Sequence, residues 1–423
     1  MLTRRSLLVG ASASGALDFF SEQASAMQLE HLHAVMTRHV EHGGVPGLVT
    51  LVRVRGETHV DAIGKLAIGQ PAPMRPDTIF RISSMTKSIT AAATLILVDD
   101  GKLTLDEPVE KWLPELANRR VLRRIDGPLD DTVPATRPIT ARDLLTFCWG
   151  FGQMMARPDA YPILKAATEL ELGMGPPAPV EMPPPDEWLA RLGKLPLMYQ
   201  PGERWMYNTG SDVLGVLIAR ASGVSFPEFL RQRLFQPLGM KDTGFSVPAA
   251  KLARFTPNYM TNFETQKLEV YDPVQGGQWN REPAFAAGSG GLVSTVQDYA
   301  AFAQLLLDGG KSGHERILSQ ALVAAMTTDQ LTPAQKAVSG LVPGFFDSHG
   351  WGFGVSVVTR SDNAAEPIGT YGWDGGLGTC FRNHPGKGML TLLMTQRAWT
   401  SPSPPEVCRD FWTTANQLLE NTR

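Results

Sequence analysis

In Arg81-Ile82-Ser83-Ser84-Met85-Thr86-Lys87-Ser88-Ile89-Thr90 a serine hydroxyl and a lysine amine stand three residues apart, and no other S-x-x-K occurs in the chain. A serine hydroxyl is a poor nucleophile until a neighbour takes its proton, and Ser-Lys pairs do this where others use Ser-His. Met85, Ile89, Ala92 and Ile96 recur at helical spacing and Gly101 supplies a stop, so Ser84 is expected to open a buried helix. There the free backbone N–H groups and the helix dipole favour negative charge beside the hydroxyl, and Lys87 at i+3 shares its face. For the motif alone, a capped helix with a surface lysine is the competing interpretation.

A second candidate is Tyr207, in Pro201-Gly202-Glu203-Arg204-Trp205-Met206-Tyr207-Asn208-Thr209-Gly210, which reads as a turn, an extended segment and a helix start. That pattern puts Tyr207 on an exposed shoulder, where a phenol can carry a proton. Phenol and lysine titrate near 10 when unperturbed, so one must shift to act at neutral pH. Either Lys87 stabilises the phenolate, or Tyr207 hydrogen-bonds to a desolvated neutral amine. The third piece is Tyr371-Gly372-Trp373-Asp374-Gly375-Gly376-Leu377-Gly378, an aromatic-glycine strand edge that a ligand can approach closely. A tetrahedral intermediate needs two N–H donors, and the backbones of Ser84 and Gly376 are the candidates.

These residues need elements to hold them. Gln28 to His42 reads as a helix, and Leu48–Val54 with Glu57–Ile63 as an antiparallel hairpin. From 71 to 284 helical patterns alternate with Pro/Gly-rich connectors such as Gly175-Pro176-Pro177 and Pro183-Pro184-Pro185. Then follow a helix from Thr295 to Leu307, β-rich runs at Trp351–Thr359, Gly378–Arg382 and Met389–Thr395, and a final helix from Pro405 to Leu419. The expectation is a sheet domain of residues 27–70 and 285–423 with a mostly helical domain, 71–284, inserted between.

Residues 1–26 carry Arg4-Arg5, an apolar run from Leu7 to Leu17 and a small-x-small Ala24-Ser25-Ala26. Thr3-Arg4-Arg5-Ser6-Leu7-Leu8 looks like a twin-arginine export signal, and the run is too short and polar to span a bilayer. A periplasmic or secreted location follows if the signal functions, a cytoplasmic one if it does not. A net charge of -3 argues against a nucleic-acid partner. Cys148, Cys380 and Cys408 are too few and too scattered for a disulfide framework or zinc site, and the eight histidines form no metal spacing.

Ser84-Met85-Thr86-Lys87, Tyr207 and Trp373-Asp374-Gly375 appear in the order of the serine β-lactamase and penicillin-binding-protein superfamily, and the chain more closely resembles the class C β-lactamase-related family VIII carboxylesterases. Asp77-Thr78-Ile79-Phe80-Arg81, Asp100-Gly101-Lys102-Leu103-Thr104-Leu105-Asp106, Phe235-Gln236-Pro237-Leu238-Gly239-Met240 and Gly290-Gly291-Leu292-Val293-Ser294-Thr295 extend the likeness over most of the chain. The resemblance implies an α/β fold of the α+β type, β-lactamase-like, with an antiparallel sheet flanked by helices and an inserted helical domain. It also implies an acyl-serine intermediate on Ser84, proton transfer shared by Lys87 and Tyr207, and no metal or organic cofactor.

Two departures bear on substrate. The family's Tyr-x-Asn is here Tyr207-Asn208-Thr209, so the amide that would contact a substrate side chain is displaced or absent. Where β-lactamases carry Lys-Thr-Gly, a cation facing the drug's carboxylate, this chain has Trp373-Asp374-Gly375, which favours neutral esters. Phe147, Trp149, Phe151, Met154 and Met155 follow a segment that flanks the cleft in the family, so some of them are expected to line an acyl or alcohol pocket, core packing being the competing role. The expectation is a serine carboxylesterase of small, short-chain esters, with Trp373, Asp374, Gly375, Trp149 and Phe151 contacting substrate and weak cephalosporin hydrolysis as a secondary activity. A β-lactamase, a D-amino-acid peptidase, an acyltransferase and an inactive penicillin-recognising-type binding protein are the alternatives. The oligomeric state stays open.

Overall fold

The computed structural model describes residues 10–54, 56–361 and 366–418. The twin-arginine-like Thr3–Leu8 lies outside them. The first helix, α1 (Gly10–Glu41), begins well before the expected Gln28 because the Ala-rich stretch upstream is itself helix-forming. Along the chain follow β1 (Gly47–Val54), β2 (Glu57–Gly64), α2 (Thr86–Asp99), α3 (Thr209–Ser222) and α4 (Val296–Leu307). The last elements are β3 (His349–Trp351), β4 (Ser356–Val358), β5 (Tyr371–Gly375), β6 (Thr379–His384), β7 (Met389–Thr395) and α5 (Glu406–Gln417).

One seven-stranded sheet runs in the order β3-β4-β5-β6-β7-β1-β2, antiparallel throughout. The hairpin β1–β2 pairs Val54 with Glu57, and between them Gly56 has φ +87°, a conformation glycine adopts without strain. It joins the C-terminal strands through β1 against β7, Leu48 opposite Thr395 and Val54 opposite Met389. All seven residues of β7 are buried, because both faces are covered. Alternate side chains divide accordingly. Leu48, Val52, Met389 and Leu393 meet α1 and α5, while Val49, Leu51, Leu390, Leu392 and Met394 join the large core that includes α2, α3 and α4.

The expected run from Trp351 to Thr359 is two short strands, β3 and β4, joined by a turn. There Gly354 has φ +70° and approaches the Lys87 carbonyl so closely that a Cβ would lie 2.6 Å from it. Residues 71–284 also hold antiparallel ribbons, Arg120–Leu122 with Thr132–Pro134 and Asn258–Thr261 with Leu268–Asp272. Strands this short, next to proline and glycine, leave no alternation to read.

Candidate active site

Arg81 anchors the turn ahead of α2. Its buried guanidinium is paired with Asp272, donates to the Thr256 carbonyl at 2.6 Å and lies 4.0 Å over the Phe255 ring. Ser83 then takes φ +45°, and Ser84 occupies a single 3-10 turn, Ser83–Met85, that runs into α2. Ser84 therefore precedes the helix by one turn rather than opening it. A positive φ on a serine costs about 1 kcal/mol or more, a strain the surrounding contacts must hold.

Lys87 lies in the first turn of α2 and is fully buried. Its Nζ donates to Ser84 Oγ at 3.0 Å and to the Ser289 carbonyl at 2.5 Å. Burial lowers the amine from the ordinary lysine range to about 7, against the raising effect of the Asp212 carboxylate. Asp212, on α3, is itself raised by burial, and the Ser289 N–H it accepts at 2.9 Å and the nearby lysine act in the other direction. Sequence reasoning missed Asp212 and Ser289. An acidic residue in the first turn of a helix reads as ordinary dipole matching, and Ser289 contributes through its backbone.

Tyr207 is buried, not on an exposed shoulder, with 9% of its surface accessible. Stacking on Trp205 at 5.5 Å and edge contact with Phe147 at 5.9 Å close over it. The Trp373 indole N–H donates to its hydroxyl at 2.9 Å, and Lys87 Nζ lies 4.6 Å from the ring centre. Burial pushes the phenol well above its usual range, outweighing its hydrogen bonds with Ser84 and Trp373. Of the two routes to a usable base, the neutral amine is the one this environment favours.

The backbone after Tyr207 is unusual. Asn208 has φ +81° and ψ −72°, and the Thr209 N–H donates to the Tyr207 carbonyl at 3.2 Å, a γ-turn of the strained, positive-φ kind. The same carbonyl accepts the Gln153 N–H at 2.7 Å. Tyr207 is thus fixed from both sides of its backbone.

β5 closes the site. Its Tyr371 and Gly372 pair with β4, whereas Trp373–Gly375 continue past that partner with an open edge. Gly375 lies against the nucleophile turn, where a Cβ would come 2.3 Å from the Ile82 carbonyl, and Thr379 Oγ1 donates to that carbonyl at 3.2 Å. Gly376 follows, with open space where a side chain would be.

Asp374 holds the Arg382 guanidinium through bonds of 2.6 and 3.0 Å, and Arg382 Nε donates to Glu366 at 2.7 Å. The Asp374 carboxylate is therefore paired, and the guanidinium is committed to two acids.

A cavity of about 1500 Å³ opens beside Ser84, lined by Ser84, Met154, Met155, Tyr207, Trp373 and Gly376 among others. Trp149 and Phe151, expected to contact substrate, do not line it. Both are fully buried and pack on each other at 5.7 Å in the main core, as does Phe147 nearby. Their apolar side chains fit a core as well as a pocket, and of the five candidates Met154 and Met155 reach the cavity.

A family model described as Beta-lactamase matches residues 32–407. The Mycobacterium tuberculosis protein Rv1367c is 38% identical, the match covering 88% of this chain and 90% of that protein. Esterase EstB of Burkholderia gladioli is 30% identical over 91% of this chain and 94% of its own length. The fold is shared with the solved structure of EstCE1, a hydrolase with promiscuous acyltransferase activity, at a TM-score of 0.75 and 23% identity, covering 95% of this chain and 99% of that one. With so much of its length matched, the chain belongs to the Beta-lactamase family and is a serine hydrolase of that fold.

Proposed function

We propose that the protein is a serine carboxylesterase of the family VIII kind that cleaves short-chain acyl esters through an acyl-Ser84 intermediate. The observation that carries this reading is the buried Lys87 amine, lowered toward neutrality and 3.0 Å from Ser84 Oγ. Neutral Lys87 takes the Ser84 proton as Oγ bonds to the ester carbonyl carbon. The N–H groups of Ser84 and Gly376 stabilise the oxyanion. Collapse breaks the bond to the alcohol oxygen, which receives the proton by way of Lys87 and Tyr207. Water then adds to the acyl carbon by the same route in reverse and frees the acid and Ser84. These steps use side-chain and backbone groups alone.

Kinship with an esterase supports the reaction class. The commitment of Arg382 to Asp374 and Glu366 supports neutral substrates over carboxylate-bearing β-lactams. A cavity of about 1500 Å³ exceeds the usual ligand pocket of roughly 300–1,000 Å³, so the short acyl group is matched here with a roomy alcohol rather than a small ester overall. The location proposed is outside the cytoplasm, by the twin-arginine-like leader.

The test is steady-state turnover of a short-chain nitrophenyl ester and a chromogenic cephalosporin by the intact protein and by Ser84→Ala. Fast ester turnover, lost by at least roughly 10³-fold in the variant, with slow cephalosporin turnover, is expected. Faster turnover of the cephalosporin moves the assignment to a β-lactamase. Failure of a fluorophosphonate to label Ser84 moves it to a binding protein without catalysis.

A further inference from the structure

We infer that Cys380 and Cys408 are a cross-linking pair, oxidised to a disulfide that fastens the C-terminal helix α5 to strand β6. The sequence spacing hides them, but the fold brings their sulfurs to 3.6 Å, in van der Waals contact. Closing that gap by about 1.5 Å reaches bonding distance. Cys380 is fully buried and Cys408 is 1% exposed, between the sheet and α5 among Leu48, Leu393 and Phe411. Cys148 belongs to a different cluster.

The position gives the bond a purpose. α5 is the last element described, reached through a Ser/Pro-rich connector, and it is held by apolar packing and by Asp410 accepting from His39 at 2.9 Å. Two residues beyond Cys380, Arg382 lies 4.0 Å over the Trp412 ring of α5 while it grips Asp374 in the site. A cross-link at Cys380–Cys408 keeps Trp412 over Arg382 and so steadies the wall that carries Trp373.

The chemistry is thiol–disulfide exchange with an external disulfide such as oxidised glutathione. One cysteine thiolate attacks that disulfide and releases one glutathione thiol. The second cysteine then attacks the mixed disulfide and releases the other. The protein loses two protons and two electrons, and the oxidant becomes two thiols. Burial slows the attack, so the bond forms when α5 lifts or before it docks, in an oxidising compartment of the kind an export leader serves.

The test uses the full chain, the same chain with Cys148→Ser, and Cys408→Ala. Each is exposed to oxidised glutathione both after folding and during refolding, the refolded fraction being checked by ester turnover. Thiols are titrated in denaturant and peptides are mapped without reduction. The expected result is a fall from three thiols to one in the full chain, with the Cys380 and Cys408 peptides linked. The thermal midpoint of the oxidised protein should rise by about 3 °C or more, reversed by dithiothreitol and absent in Cys408→Ala. Three thiols remaining under both regimes, or glutathione adducts without the Cys380–Cys408 link, would overturn the inference. Folding of the refolded fraction is also read by far-UV circular dichroism, so a protein that is no esterase leaves this test intact.

Discussion

On the proposed mechanism Asp212 tunes the pH at which Lys87 can act as a base. Only the neutral amine accepts a proton, so kcat/KM rises as pH climbs through the pKa of the lysine. Burial lowers that pKa and the Asp212 carboxylate raises it. Asp212→Asn keeps an oxygen for the Ser289 N–H but removes the charge, and it should move the rising limb of the profile to lower pH by about 1. A pH–rate profile of the two proteins decides the matter, and an unmoved limb would separate Asp212 from the base. That Ser84, Lys87 and Tyr207 would be candidates for one site was legible in the sequence, two by their spacing and one by the order of motifs, and the structure brings them together. Asp212 was not, since nothing in a helix's first turn announces which lysine will lie beside it. Trp149 and Phe151 were misread because an aromatic residue near a cleft motif looks the same whether it faces the cavity or the core.

Among the elements, the Tyr207–Thr209 turn is strained at Asn208. A residue at φ +81° pushes its Cβ against its own backbone, more so when the side chain is branched there. Asn208→Val should cost about 1–3 kcal/mol in denaturant unfolding and lower kcat by roughly tenfold or more through a displaced Tyr207. Asn208→Gly relieves the strain and should keep activity within about threefold. Equal losses in both variants would point to the Asn208 amide, not the turn, as the feature that matters. The sequence revealed this segment as a turn before a helix, but a backbone that strained is chosen by the tertiary contacts holding Tyr207. The hairpin β1–β2 was read almost to the residue, since alternating β-branched residues around Gly56 specify it locally. The short strands β3 and β4 merged in the reading because Gly352 and Gly354 look like interruptions of one strand.

At the scale of the molecule, the cavity is the feature that sequence could not convey, because its lining comes from loops far apart in the chain. Its size predicts that an acetate of a bulky, uncharged bicyclic alcohol is cleaved with kcat/KM at least about tenfold above that of ethyl acetate, through added apolar contact. Parallel progress curves with the two esters measure this, and a preference for ethyl acetate would contradict it. The sheet as a whole was foreseen from β-rich runs at the two chain ends, although no pattern in either end gives the strand order.

That sheet also sets when the site can come into existence. β1 leaves the ribosome early, yet its partner β7 is the last of the described strands to be made, and Leu48 must wait for Thr395. Ser84 and Lys87 can form their helical turn long before, but the strand carrying Trp373 and Gly375, with Gly376 just after it, is made near the end of the chain and takes its place in the sheet only then. Pairing strands so far apart in the chain carries a loop-closure cost and slows folding, so the sheet around the site is assembled late. An unfinished chain holds a nucleophile with no pocket around it.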